Sequence, residues 1–225
     1  MGPRRLARRY LIGNATFLAR AAGYAVRQIE GQRLLDLAVS VAALALLAVP
    51  MLAVAAMVRL DSRGPALFKQ IRISKDGTPF GVYKFRSMHV DAEARRAALL
   101  ASSDREGVCF KSRNDPRITR IGKMLRRLSI DELPQILNVL KGEMSIVGPR
   151  PALPEEVANY PERALGRLAV KPGITGLWQV AVRANIGFDK MIDLDLAYVR
   201  SRSTLLNLIL IMLTFRAVVS GRGAY

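Results

Sequence analysis

Leu34-Leu35-Asp36-Leu37-Ala38-Val39-Ser40-Val41-Ala42-Ala43-Leu44-Ala45-Leu46-Leu47-Ala48-Val49-Pro50-Met51-Leu52-Ala53-Val54-Ala55-Ala56-Met57-Val58 carries a single charge, Asp36, near its start. At ~1.5 Å per residue, a helix of this length reaches across a ~30 Å hydrocarbon core. A spanning helix is the default reading. Two features argue for a helix that enters and leaves by the same leaflet instead. Pro50 falls inside the run, where it removes a backbone hydrogen bond and favours a bend. Both flanks are basic, with Arg27 and Arg33 before and Arg59, Arg63, Lys69, Arg72 and Lys75 after. The positive-inside tendency pulls both ends to one face, which a straight span cannot satisfy.

The bulk composition agrees with a lipid surface. The 225 residues carry a formal net charge of +17, yet 51% of them are hydrophobic and the mean hydropathy is +0.17. A nucleic-acid binder shares such charge but is usually less apolar. An anionic membrane rewards both properties, at roughly 1 kcal/mol per basic residue near its surface. One cysteine, Cys109, excludes an intrachain disulfide, and one histidine, His89, argues against a histidine metal site or triad. Residues 1–32 form a basic extension, read either as an amphipathic helix on lipid over Asn14–Ile29 or as a disordered tail. No cleavable signal follows Arg8-Arg9.

Beyond residue 61 the chain reads as a polar domain. Ala66–Ile73 and Pro79–Phe85 are predicted strands, and Asp76-Gly77 between them is a hairpin signal. Asp91 is placed to cap a helix running to about Leu100, and Ser102–Asn114 reads as a polar loop. Thr119 is placed to cap a helix with Ile121, Met124, Leu125 and Leu128 on one side and Arg120, Lys123, Arg126 and Arg127 on the other. Val147-Gly148-Pro149-Arg150-Pro151 and Lys171-Pro172-Gly173-Ile174-Thr175-Gly176 are rigid turns, and the prolines around Arg150 suit bidentate recognition of phosphate or a nucleobase edge. Asp189, Asp193 and Asp195 fall on a predicted helix ending near Arg200. Leu205–Val219 is too short for a span and reads as an interfacial or core helix.

Asp131-Glu132, in Ser129-Ile130-Asp131-Glu132-Leu133-Pro134-Gln135, is the chemical candidate. Leu133, Ile136, Leu137 and Leu140 recur at helical spacing, and Gly142 is placed to end that helix. With Ser129 as cap, Glu132 completes a structural capping box. That register sets Pro134 against the carbonyl four residues back, so a start at Asp131 is favoured. The helix N-terminus then lies beside both carboxylates and attracts phosphate. An acidic pair among many arginines and lysines, without usable histidine or cysteine, suits phosphoryl transfer. In such chemistry one carboxylate can serve as the nucleophile and a neighbouring one can hold Mg²⁺, and this pair has the composition for that division.

From about Arg33 to Tyr225 the chain resembles the small monotopic phosphoglycosyl transferases, the bacterial sugar transferases that initiate exopolysaccharide, capsule and O-antigen assembly. The carrying segments are Tyr83-Lys84-Phe85-Arg86-Ser87-Met88, Asn114-Asp115-Pro116-Arg117-Ile118-Thr119-Arg120-Ile121-Gly122, Asp131–Gln135 with Asn138–Gly142, Gly148–Pro151 and Lys171–Val180. The resemblance implies an α+β, mostly helical fold. A re-entrant helix-break-helix spans 33–60, and a cytoplasmic interfacial catalytic domain covers 61–225, with a short hairpin and interfacial amphipathic helices. It implies transfer of a sugar-1-phosphate from a UDP-sugar to polyprenol (undecaprenyl) phosphate with release of UMP, at the cytoplasmic face of the bacterial inner membrane. Asp131 is then the nucleophile of a covalent phosphosugar intermediate, Glu132 with Asp131 holds Mg²⁺, and Arg126 and Lys84 complete the catalytic set. Pro149, Arg150, Pro151, Asp195, Arg86 and Gln179 contact substrate. Phospholipid is a partner, a homodimer is allowed, and nucleic acid is excluded. The chain departs from the family in Val49-Pro50, where Ser-Pro is usual, and in Val182-Arg183-Ala184, where Gly-Arg-Asn is common. Two other classes compete: a non-enzymatic basic membrane-surface binder, and a Mg²⁺-dependent lipid diphosphate hydrolase.

Overall fold

The computed structural model describes residues 3–92, 94, 115–181 and 187–219, with side chains from 31 to 218. The predicted helix after Asp91, the loop with Cys109 and the Val182-Arg183-Ala184 segment lie outside the described residues. Helix α1 runs Pro3–Asp61 with Pro50 inside it. Its portion Gly31–Asp61 is long and apolar enough to cross a membrane. Leu46 is 78% exposed and Val49 77%, so among the described residues its middle is largely uncovered. Both ends of that portion nevertheless dock on the same polar body. Near the start, Arg33 donates to the carbonyls of Val139 at 2.6 Å and Leu140 at 2.9 Å. One turn on, the Asp36 carboxylate accepts from Ser145 Oγ and from the Ile146 N–H, both at 2.9 Å. At the other end, Val54 and Val58 pack with Phe85 and Leu125, and Asp61 accepts from the Ile121 N–H at 3.2 Å.

The hairpin forms as the sequence predicts. Strands β1 (Leu67–Ile73) and β2 (Pro79–Phe85) pair antiparallel from Leu67↔Phe85 to Ile73↔Pro79. Asp76 takes φ 57° in the turn, a left-handed conformation that short polar side chains tolerate. Thr119 caps helix α2 (Arg120–Arg127), its hydroxyl accepting from the Gly122 N–H at 3.0 Å. Leu125 on the apolar side is fully buried.

The acidic segment departs from expectation. The α-helix does not begin at Asp131: Ile130–Gln135 form a 3₁₀ turn, and helix α3 is Ile136–Lys141. Ser129 stands in the left-handed region at φ 55° and its side chain caps nothing, so the capping-box register is absent too. Pro134 has no N–H to close an α-turn onto Ile130, so it contributes no α-helical bond within the acidic segment, and the α ladder starts beyond it. Gly142 ends the helix as predicted, at φ 81°.

The two proline-glycine segments, distant in sequence, meet through strands β3 (Ser145–Val147) and β4 (Gly173–Thr175), which pair parallel. A Cβ on Gly173 would sit 2.0 Å from the Gly148 nitrogen and 2.6 Å from the Val147 carbonyl carbon. Both are backbone atoms and neither can swing aside. Gly173→Ala is therefore expected to cost about 3 kcal/mol, an overpacking penalty at the upper end, and to lower Tm by roughly 6–12 °C in a melt of the purified protein. A Tm within about 2 °C of wild type contradicts the close approach.

Short helices α4 (Pro154–Ala158) and α5 (Glu162–Leu165) follow β3, and α6 (Leu177–Ala181) follows β4. Helix α7 (Phe188–Ser201) contains the three aspartates, as expected. The main core joins Val82, Val139, Met144, Val147, Tyr198 and Leu210. Leu210 belongs to helix α8 (Thr204–Val219), which buries Asn207 and Leu210 while Leu205, Met212 and Phe215 stay 69%, 64% and 72% exposed. One helix thus serves the core on one side and leaves an apolar stripe on the other, joining the two roles its sequence allows.

Candidate active site

Alternation along β2 turns Val82 and Lys84 to one face and Tyr83 to the other. The 3₁₀ turn packs beneath that face and carries the two carboxylates. Lys84 Nζ lies 2.6 Å from Glu132 Oε1. The open cleft around this pair is lined by Arg72, Lys84, Glu132, Gln135, Arg150, Pro151 and Gln179, among others. Asp131, next in sequence to Glu132, does not line that cleft; it is 7% exposed and within electrostatic reach of Lys84 and Arg126.

The adjacent carboxylates meet opposite electrostatics. Burial pushes the Asp131 carboxyl above its ordinary range; the Glu132 charge adds to that rise, while Lys84 and Arg126 oppose it. At Glu132 desolvation also acts upward, but the Lys84 ammonium, with Arg150 and Arg72, outweighs it and holds the carboxyl low. Glu132 side-chain accessibility is 28%, consistent with the cations prevailing. The site thus pairs a desolvated, more basic oxygen with a firmly ionised neighbour. Arg126 sits beside Asp131, its Nε donating to Ser87 Oγ at 3.0 Å, and burial lowers its own pKa.

Of the residues singled out in the sequence, Lys84, Glu132, Arg150, Pro151 and Gln179 line one cleft, while Asp131 and Arg126 interact electrostatically with each other without lining it. Pro149 lines a second hollow, and Arg150 borders both. Arg86 and Asp195 are engaged elsewhere. Arg86 donates to the Ser62 carbonyl at 2.6 Å, to Ser62 Oγ at 3.0 Å and to the Val58 carbonyl at 3.3 Å, so it caps the end of α1. Asp195 is 1% exposed and pairs with Arg167 at 2.6 Å. Burial pushes the Asp195 carboxyl up to about 6 against the pull of that arginine.

In the sequence Arg72 counts among the membrane-flanking charges, yet it is 9% exposed and works in the cleft. It donates to the Pro151 carbonyl at 3.0 Å and to Gln70 Oε1 at 2.7 Å. Its one sequence signal is a lone arginine between Ile71 and Ile73 in a strand. Gln135 is signalled only as the last residue of the Asp131–Gln135 segment, and Arg167 carries no signal. Among the described residues, no cluster of three or more acidic, histidine or cysteine side chains could hold a metal alone. Asp131 and Glu132 suit Mg²⁺ only with ligands from elsewhere, which is how Mg²⁺ commonly binds alongside substrate phosphates.

Comparison with known proteins gives a consistent result. A family profile described as "Bacterial sugar transferase" matches residues 27–221. "Galactosyl transferase CpsE" of Streptococcus agalactiae serotype III is 43% identical over 202 residues, covering 89% of this chain and 45% of that protein. "Undecaprenyl-phosphate glucose phosphotransferase" of Komagataeibacter xylinus is 42% identical over 205 residues, covering 86% of this chain and 37% of that one. "Exopolysaccharide production protein ExoY" of Sinorhizobium fredii is 35% identical over 217 residues, covering 94% and 96%. The chain therefore spans less than half of two of these relatives and nearly all of the third.

Proposed function

Since the chain belongs to the bacterial sugar transferase family, we propose that it transfers a sugar-1-phosphate from a UDP-sugar to polyprenyl phosphate and releases UMP. The observation that carries this reading is Glu132 in a cation-lined cleft, 2.6 Å from Lys84, with the buried Asp131 adjacent to it and under the same lysine's charge. Phosphoryl transfer needs charge neutralisation and alignment more than covalent chemistry from the protein, and the cleft offers both.

In the proposed cycle a carboxylate oxygen of Asp131 attacks the sugar-bearing phosphorus of the donor. The bond from that phosphorus to the bridging oxygen breaks, and the electron pair leaves with UMP. Arg150 and Arg72 balance the charge that builds on the leaving phosphate, and Arg126 faces the attacking side. An oxygen of the lipid phosphate then attacks the same phosphorus, giving polyprenyl diphosphate sugar and restoring Asp131 as a free carboxylate. Glu132, with Asp131 and the donor's phosphate oxygens, would hold Mg²⁺, which supplies further neutralisation of the diphosphate.

The acceptor resides in a bilayer, so the cleft must sit at its surface. We assign α1 a re-entrant seat in the cytoplasmic leaflet of the inner membrane. Support comes from its exposed middle, its two ends docked on one body, and basic residues on both flanks. In a Cys109→Ser background, single cysteines at Gly31 and Arg63 are expected to react with an impermeant maleimide only from the cytoplasmic side. Labelling of the two from opposite sides overturns the re-entrant seat. The activity itself is tested by supplying UDP-galactose, UDP-glucose and other UDP-sugars with Mg²⁺ and undecaprenyl phosphate. Multiple-turnover UMP release that requires the lipid is expected with at least one donor, with no more than a single stoichiometric release per enzyme in its absence. Sustained release by water without acceptor, or none with any donor, refutes the transfer.

A further inference from the structure

Arg150 is exposed at the mouth of the cleft, so its aim depends on how firmly its backbone is held. Prolines on both sides fix φ at those positions. The remaining freedom is removed by three hydrogen bonds to three successive carbonyls, each from a different part of the fold. The Pro149 carbonyl accepts from the Gly173 N–H at 2.9 Å, the Arg150 carbonyl from Arg167 Nη2 at 3.0 Å, and the Pro151 carbonyl from Arg72 Nη1 at 3.0 Å.

Arg167 is the unusual member of this set. It is 3% exposed, lies outside the cleft around Glu132, and borders the second hollow together with Arg150. The same Nη2 lies 2.6 Å from Asp195 Oδ2, and Nη1 donates to the Tyr160 hydroxyl at 2.6 Å. The Tyr160 ring lies 5.6 Å from its central carbon. A buried ion pair gains little stability over apolar packing of the same volume. A directional role explains its presence better: a planar fork anchored by one carboxylate can aim a remaining N–H at a fixed carbonyl.

We propose that Arg167 is a positioning residue that sets the Arg150 guanidinium over the cleft, with Asp195 and Tyr160 as its anchors. The value of this for transfer rests on the reading of Arg150 as a contact to the donor's diphosphate. Asp195 thereby acts on the donor at a distance, through Arg167 and Arg150, two side chains removed.

The test uses the full-length protein in detergent or membranes. Arg167→Lys keeps the charge but loses the fork, and Tyr160→Phe removes a single hydrogen bond should the lysine variant fold poorly. Amide exchange in the 147–153 peptide is expected to quicken about tenfold in Arg167→Lys and a few-fold in Tyr160→Phe, with other core peptides unchanged. In the transfer assay KM for the UDP-sugar is expected to rise about tenfold with kcat within about threefold. In an Arg150→Ala background the Arg167→Lys change is expected to add less than about twofold, since the two act in series. Unchanged exchange at 147–153, exchange quickened uniformly through the protein, or effects that multiply in the double variant overturn the proposal. If exchange quickens at 147–153 and the single variant leaves KM alone, the diphosphate role of Arg150 fails and the strut stands. If wild type turns over no donor, the exchange arm alone decides the strut.

Discussion

Asp131→Asn is expected to reduce UMP release at least about 10³-fold, with the protein folded and still bound to membranes, because the amide cannot take the place of the attacking carboxylate. The change is nearly isosteric and removes a charge whose burial already pushes its pKa upward, so a folding defect is not expected to mimic it. Wild-type enzyme given donor without lipid acceptor should gain the mass of a sugar phosphate on the peptide carrying Asp131, and Asp131→Asn should not. Normal turnover by the variant, or an unmodified Asp131 under conditions of proven turnover, removes this residue from the nucleophile's role. Attack by Glu132 or direct attack by the lipid phosphate on the donor would then be the routes left, and a mass shift on Glu132 separates them.

The second large effect belongs to Lys84. Its ammonium holds Glu132 ionised and opposes the rise of Asp131. Lys84→Met is expected to lower kcat/KM by about 10²–10³-fold, the range for losing one preorganised charge contact in a water-poor site. It should also move the pH profile. The nucleophile works ionised, so activity is present above the Asp131 pKa and is lost as pH falls through it. Wild type should therefore lose activity on the acid side above the ordinary aspartate value of 3.8. Removing the cation raises that pKa further, and the acid limb should shift to higher pH in Lys84→Met. Lys84→Arg should bring the limb back towards wild type. A limb that stays in place in the methionine variant separates Lys84 from Asp131.

Much of the frame is legible in the sequence because it is local. The apolar run, the Asp76 turn, the Thr119 cap and the Gly142 stop each depend on residues within a few positions, and each forms where expected. The start of α3 differs because helical spacing and cap preference favour an α-helix from Asp131, while Pro134 lacks the N–H that would bond back to Ile130 and the acidic segment forms a 3₁₀ turn. Arg72 reads as part of the membrane flank because charge alone cannot tell a strand residue facing lipid from one facing a cleft. Arg86 and Asp195 fall among the substrate contacts by motif, and their partners, α1 and Arg167, lie far off in sequence.

The amino-acid order by itself determined where the long apolar helix, the hairpin and the acidic pair lie, since length, hydropathy and turn chemistry act over short range. Only the tertiary structure decided which cations face which carboxylate. The parallel pairing of β3 with β4 brings two remote proline-glycine turns together, and with Arg72 and Arg167 it sets Arg150 opposite Glu132. A charge acts over ångströms of space whatever its distance along the chain, so its partners come into being only when the chain has folded.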